Sequence, residues 1–200
     1  MLAVLKTGEA IEIAAIGREG AVGARLGRRP EIAFAQAIVQ LPGMALKIEI
    51  EKFQSAARNS PAITDLAACA SEIMAVNLQQ SAACNALHPL ESRLARWLLH
   101  SRDRYDNDEL PLSHEFLSEM LGVRRTTVSL AANTLQNAGV IHYRRGKISI
   151  ANRKGLQSVS CDCYRTVKQN IAAIIVPEKS ASTSSLRRGR VFGRISGRLS

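Results

Sequence analysis

Apolar positions change period several times along the chain. Up to Phe53 they recur at every second residue, in Ile11/Ile13, Ala33/Ala35/Ala37/Val39 and Leu46/Ile48/Ile50, with Gly-rich stretches between them. A period of two marks half-buried strands, so short antiparallel strands joined by glycine corners are predicted. A sheet of about four such strands is too small to close on itself and leaves edges exposed. From Ser60 the spacing becomes helical in SPAITDLAACASEIMAVNLQQSAACNAL, where Pro61 suits a first turn and Ser60 a cap. Leu66, Ile73, Gln80 and Leu87 recur every seven residues, with Ala70, Asn77 and Cys84 between them. That is the a/d seam of a helix facing a partner helix. A second stripe, Leu66, Cys69, Ile73, Val76, Ala83 and Leu87, would pack equally well on the strand region, so both arrangements remain open.

Next, HPLESRLARWLLHSRDRY predicts a helix burying Leu90, Leu94, Trp97 and Leu98, with Trp97 as core, and DNDELP reads as a polar loop. Leu112 to Ile150 reads as a short helix capped by Ser113, a corner at Gly122, a second helix closed by Gly139, and a two-stranded ribbon turning at Arg145-Gly146. Phe116, Leu117, Met120 and Leu121 form the apolar side of the first helix. Val128, Ala132 and Leu135 form that of the second. This order of elements is that of a winged helix-turn-helix. Beyond it Asn152 can cap one further helix, RKGLQSVSCDCYRTVKQNIAAII, with Leu156, Val159, Cys163 and Val167 near one face and Pro177 at its end. The Ser-, Gly- and Arg-rich residues 178–200 predict disorder, as a basic arm on DNA or an incidental extension.

Composition adds an asymmetry. Two hundred residues, 46% hydrophobic, suffice for one or two compact domains. No run of eighteen apolar residues occurs, and the N-terminus has no cationic lead, so a cytoplasmic protein without a membrane span is expected. Net charge is +10, and it is uneven: residues 1–100 carry ten Lys/Arg against nine Asp/Glu, residues 101–200 seventeen against eight. Five of those seventeen lie after Leu186, and the half stays positive without them. A one-sided positive field suits phosphate binding.

Cys69, Cys84, Cys161 and Cys163 form no CxxC motif, and Cys161 and Cys163, two apart on one predicted helix, would diverge by about 200°. Reduced structural thiols and no metal site are therefore expected. His88, His100, His114 and His142 fall on different elements and assemble no acid–base or nucleophile set, so no enzyme is expected.

In the second helix of the motif, predicted over 124–137, Arg125, Ser129 and Asn133 share the solvent side, with Thr126 beside Arg125. Residues in the first turn or two of such helices reach base edges, which makes Arg125, Thr126 and Ser129 the candidate base readers. Arg can donate two hydrogen bonds to guanine, and Thr offers a methyl to thymine. Arg124 and Thr127 are better placed for phosphate, as are the wing residues Arg144, Arg145 and Lys147.

LPLSHEFLSEMLGVRRTTVSLAANTLQNAGVIHYRRGKISI resembles the C-terminal helix-turn-helix and wing of the Crp/Fnr family of bacterial transcription regulators. HPLESRLARWLL resembles the helix before it, and GREGAVG the glycine-rich corner of the family's β-roll sensor. The resemblance implies an α+β fold of four parts. Residues 1–59 would be a partial antiparallel β-roll sensor, 60–87 a long dimerisation helix, 88–176 a C-terminal winged helix-turn-helix domain, and 177–200 a basic tail. The implied partners are double-stranded DNA and a second copy of the chain, with Leu66, Ala70, Ile73, Asn77, Gln80 and Cys84 as the dimer seam. RNA polymerase is a further candidate partner.

An alternative from the same resemblance is an interaction protein that pairs with a full-length relative and modulates its DNA binding. Where the family's cyclic-nucleotide binders carry a Glu and an Arg-Ser or Arg-Thr pair, this chain has Ala24 and Ala33-Phe34, so no cofactor and no cyclic AMP binding are expected. Many relatives carry Glu in place of Thr126 and Arg in place of Leu130, so the operator would differ. Several strands that open the family's sensor have no counterpart, so either the input end is truncated at Met1 or the start of the chain has been assigned too late.

Overall fold

A computed structural model describes residues 1–24, 33 and 35–175. In chain order the elements are β1 (Leu2–Val4), β2 (Ala10–Glu12), α1 (Ile50–Asn59), α2 (Pro61–Leu87), α3 (Leu90–Arg104), β3 (Glu109–Leu110), α4 (His114–Leu121), α5 (Arg125–Asn137), β4 (Ile141–Arg144), β5 (Lys147–Ile150), α6 (Arg153–Val159) and α7 (Cys163–Ile175). The α+β class with small antiparallel sheets is the one read from the sequence.

The main core forms around α3, whose Leu94, Trp97, Leu98 and Leu99 meet Leu117 and Leu121 of α4, Val128 and Leu135 of α5, and Ile141, Ile148 and Leu156. Leu90, expected in this core, is half-buried at its margin. The wing is a three-stranded sheet in the order β3-β5-β4. Glu109 pairs with Ser149 and Leu110 with Ile148, so part of the expected polar loop is a strand. Leu110 alternates inward to full burial, which gives so short a strand its reason to dock.

The N-terminal sheet is smaller than the sequence predicts. β1 and β2 pair with Leu2 opposite Glu12, and Gln36 adds only an isolated bridge to Leu2. Leu46 and Ile48 are exposed and belong to no strand. Ile50 opens α1 instead. An alternating segment without a neighbour to hydrogen-bond cannot persist as a strand. From Ile50 the chain has no Gly or Pro for ten residues, and Glu51 in the first turn and Arg58 in the last complement the helix dipole. Phe34 and residues 176–200, including Pro177 and the expected basic tail, lie outside the described residues.

The hairpin packs on α3 and on the end of α4: Trp97 Nε1 donates to Glu12 Oε2 at 3.0 Å, and Ile11 lies against Gly122, while the amino terminus donates to the Ala14 carbonyl at 2.8 Å within the segment itself. The last predicted helix is two helices. α6, capped by Asn152 through the Gly155 N–H at 2.9 Å, ends at Val159, and α7 begins at Cys163. Between them Ser160, Cys161 and Asp162 are poor interior residues, since Ser and Asp side chains compete for nearby backbone groups. Ser158 and Ser160 do so, donating to the Gly155 and Gln157 carbonyls.

α7 lies along α2, with Val167 and Ile171 against Ile73. Asp103 of α3 fastens this region: its carboxylate accepts from Tyr164 at 2.8 Å, from Lys168 at 2.9 Å, and from Arg153. Burial raises its pKa, but the hydrogen bonds from Lys168, Arg153 and Tyr164 outweigh that and hold it below the usual carboxylate range. One turn earlier His100 is buried edge-on to the Tyr164 ring, centroids 5.1 Å apart. Burial, then the charges of Arg104 and Arg96, push its pKa down to about 3.

Because the folded His100 takes up its proton far below the ordinary value near 6.5, the unfolded chain binds the extra proton as pH falls. Its contribution is complete above about pH 6.5 and is lost toward pH 3, at up to about 1.4 kcal/mol per pH unit. Urea denaturation between pH 7 and 4 should show this acid loss, and His100→Leu should flatten it.

Candidate nucleic-acid interface

The interface is built on one corner. Ser113 caps α4 by accepting the Phe116 N–H at 3.1 Å, and Gly122 ends it in the left-handed region at φ 64°. A Cβ at Gly122 would meet Ile11 Cδ1 at 2.7 Å, so the corner needs glycine for both conformation and space. α5 then buries Val128, Ala131, Ala132 and Leu135. Gly139, at φ 69°, closes α5, and the Tyr143 N–H donates to Gln136 Oε1 at 2.8 Å, tying β4 to the helix. The wing turns through Arg145 (φ 49°) and Gly146 (φ 76°), the positive pair of a two-residue hairpin turn.

The sequence-derived contact residues fare differently. Arg125, Thr126, Arg124 and Thr127 are exposed at the start of α5, with Arg125 Nε 3.7 Å from a Glu115 carboxylate oxygen. So exposed a pair is weak and holds Arg125 without committing it. Ser129 is half-buried: its hydroxyl donates to the Arg125 carbonyl at 3.1 Å and lies 2.9 Å from His114 Nδ1. The Ser129 hydroxyl thus bridges α5 and α4 in this structure. Leu130 takes the outward place, 68% exposed beside Asn133 on the otherwise polar face. A large apolar side chain there was the missed signal. Arg144 and Arg145 are exposed on the wing, whereas Lys147 is paired with Glu109 at 2.5 Å, which raises its pKa.

His114, unassigned from sequence, stacks on Tyr143 with centroids 3.8 Å apart and so joins α4, α5 and β4. Burial, with the charge of Arg125 second, lowers its pKa, so it is a neutral spacer at neutral pH. Its place at the first residue of α4 gave no hint of this.

The expected seam on α2 is largely consumed within the chain. Ile73 packs on α7, Gln80 Nε2 lies 2.9 Å from Cys163 Sγ, Cys84 is buried against Cys161, and Asn77 is buried and donates to the Ile73 carbonyl at 2.8 Å. Leu66 is exposed and Ala70 half-buried. The heptad pattern is that of a helix with a partner helix, and within this chain that partner is α7.

The cysteine reading also changes. Cys161 stands before α7 rather than on it, so the divergence expected of two residues on one helix does not apply. Cys84, His88, Cys161 and Cys163 bring their ligand atoms within 4.8 Å of one another. Cys84 and Cys161 share a hydrogen bond at 3.5 Å, which splits them: Cys84 falls to about 5 and Cys161 rises.

The capped helices, the glycine corner and the sheet-borne ribbon define a winged helix-turn-helix. Residues 92–159 match the family described as the Crp-like helix-turn-helix domain. Among solved structures, FixK2 from Bradyrhizobium japonicum is similar at 18% identity over 57% of this chain and 60% of that one, with a TM-score of 0.53. TTHB099, a CRP-family transcriptional regulator from Thermus thermophilus, is similar at 19% identity over 80% of this chain and 81% of that one, with a TM-score of 0.50. A crp/fnr-family structure from Eubacterium rectale, at 21% identity and a TM-score of 0.46, is matched over half its length and 55% of this chain. No curated protein matches the sequence. The chain thus carries a Crp-like helix-turn-helix domain and shares its fold with transcription regulators of the Crp/Fnr family.

Gly122→Ala forces a left-handed residue with a Cβ onto Ile11 and should cost about 1–3 kcal/mol in chemical denaturation. Gly122→Ala combined with Ile11→Val should recover part of that loss.

Proposed function

We propose that the chain is a transcription regulator that binds double-stranded DNA as a homodimer, laying α5 in the major groove and the wing on flanking phosphates. The supporting observation is the division of α5 itself. Its inner side is buried, while Arg125, Thr126, Leu130 and Asn133 form a continuous exposed side that starts at the helix N-terminus. In this reading Arg125 leaves Glu115 to donate to guanine O6 and N7, Thr126 and Leu130 meet base edges with a hydroxyl and apolar carbons suited to a thymine methyl, and Arg124, Thr127, Arg144 and Arg145 hold phosphates. Lys147 joins them at the small cost of its exposed pair with Glu109.

Dimerisation would use the side of α2 that α7 leaves open. There Ala68, Ala75, Leu78 and Ala82 are exposed, and Asp65 and Glu72 are the only charged residues of the helix. Cyclic AMP is not the effector in this reading, because Ala24 stands where the family's binders use Glu.

Binding to sites selected from random duplexes tests it. Arg125→Ala should lose about 1–3 kcal/mol of discrimination at one base pair of each half-site. Arg145→Ala should weaken all sequences alike and reduce the salt slope by about one. Unchanged affinity and preference in Arg125→Ala would refute the docking. Operator binding that appears only when a full-length relative is added would favour the heterodimer instead.

A further inference from the structure

The sharpest unassigned feature lies away from the DNA surface, where the end of α2, the α2–α3 junction and the α6–α7 link converge. Cys84 comes from the last turn of α2, His88 from the junction, and Cys161 and Cys163 from either side of the start of α7. The three thiols are buried and the imidazole is half-buried.

Their spacing is that of ligands on a single ion. Around a tetrahedral zinc with Zn–S near 2.3 Å and Zn–N near 2.05 Å, ligand atoms sit roughly 3.6–3.8 Å apart. Here Cys84 Sγ to Cys161 Sγ is 3.5 Å, Cys163 Sγ to His88 Nδ1 is 3.4 Å, and no pair of the four exceeds 4.8 Å. An iron–sulfur cluster spreads its four ligands over two or more irons, so some of them must stand farther apart than these four do. Three thiolates and an imidazole select a thiophilic tetrahedral ion over magnesium, calcium or manganese, which prefer oxygen.

The surroundings fit the same occupant. His88 points Nδ1 into the group, 3.4 Å from Cys163 Sγ, while its Nε2 faces the exposed Asp162 carboxylate at 3.8 Å, beyond hydrogen-bond length. Gln80 Nε2 lies 2.9 Å from Cys163 Sγ, placed to donate to a thiolate. Arg93 and Arg96 are buried, and the Nε atoms of both find no acceptor among the described residues. Buried cations left partly unpaired call for a compensating negative charge.

We propose that Cys84, His88, Cys161 and Cys163 form a closed structural site for one zinc-class ion, which staples α2 and the start of α3 to α7. On binding, the cysteines that still carry a thiol proton release it to solvent, three sulfur–metal bonds and one nitrogen–metal bond form, and no electron is transferred. The resulting unit carries one net negative charge, opposite in sign to the two arginines beside it. All four positions are filled by protein, which fits stabilisation rather than catalysis.

The test uses the full chain, purified under reductant, with zinc content measured and cobalt(II) substituted as a spectroscopic probe. One ion per chain is expected, with intense tetrahedral cobalt bands, a thiolate-to-cobalt charge-transfer band, and a melting temperature that falls on chelation. Cys84→Ser, Cys161→Ser or Cys163→Ser should each weaken zinc by more than about 100-fold, beyond what loss of a supporting residue costs. Cys69→Ser, outside the group, should leave metal content unchanged. If the Ser variants do not fold, the wild-type stoichiometry and cobalt spectrum decide. Folded, reduced wild-type protein that takes up less than about 0.1 equivalent of either metal would overturn the site. So would weak octahedral cobalt bands, or a loss in Cys69→Ser equal to that in Cys163→Ser.

Discussion

The structure depends on burying α3 on nearly every side. Apolar faces alone do not achieve this, because nine residues from Arg93 to Ser101 are buried and four of them, Arg93, Arg96, His100 and Ser101, are polar or charged. Burying such groups is favourable only when each finds a partner. The neighbours supply part of this: the Leu121 carbonyl accepts from Arg93 at 2.7 Å and the Tyr164 ring covers His100, while the Nε atoms of Arg93 and Arg96 find no acceptor among the described residues. On the next turn Asp103 gathers Tyr164, Lys168 and Arg153. Helix α3 is thereby the common wall of the helix-turn-helix, the α6–α7 unit and the N-terminal hairpin.

That position carries the interface. Arg93 grips the last carbonyl of α4 just before the glycine corner, so α3 helps set where α5 starts. From the other side Ile11 of the hairpin fills the space above Gly122. His114 completes the arrangement by filling the gap between the two helices and the wing. The residues proposed to meet DNA are exposed because the rest of the chain fixes the backbone from which they project.

Much of this was legible from local chemistry. Ser113, Gly122, Gly139, Asn152 and the Arg145-Gly146 turn act as their residue types indicate, since caps and positive-φ positions are local constraints. What was harder to read was which distant element each surface would meet. The alternation at Leu46/Ile48/Ile50 was real, but no strand lies beside it among the described residues. The heptads of α2 fitted a helix, and which helix faced them depended on the path of α7. Cys161 and Cys163 were kept apart by assuming one helix where Ser160 and Asp162 break it in two. Ser129 shared a face with Arg125 by periodicity, yet only three dimensions bring His114 to its hydroxyl.

The central claim is that two copies present α5 to successive major grooves of one DNA duplex. Hydroxyl-radical footprinting on a selected site tests it most directly. Two equivalent protected patches are expected on one face of the duplex, about 34 Å apart from centre to centre. A single patch, or protection spread evenly along any sequence, would contradict it.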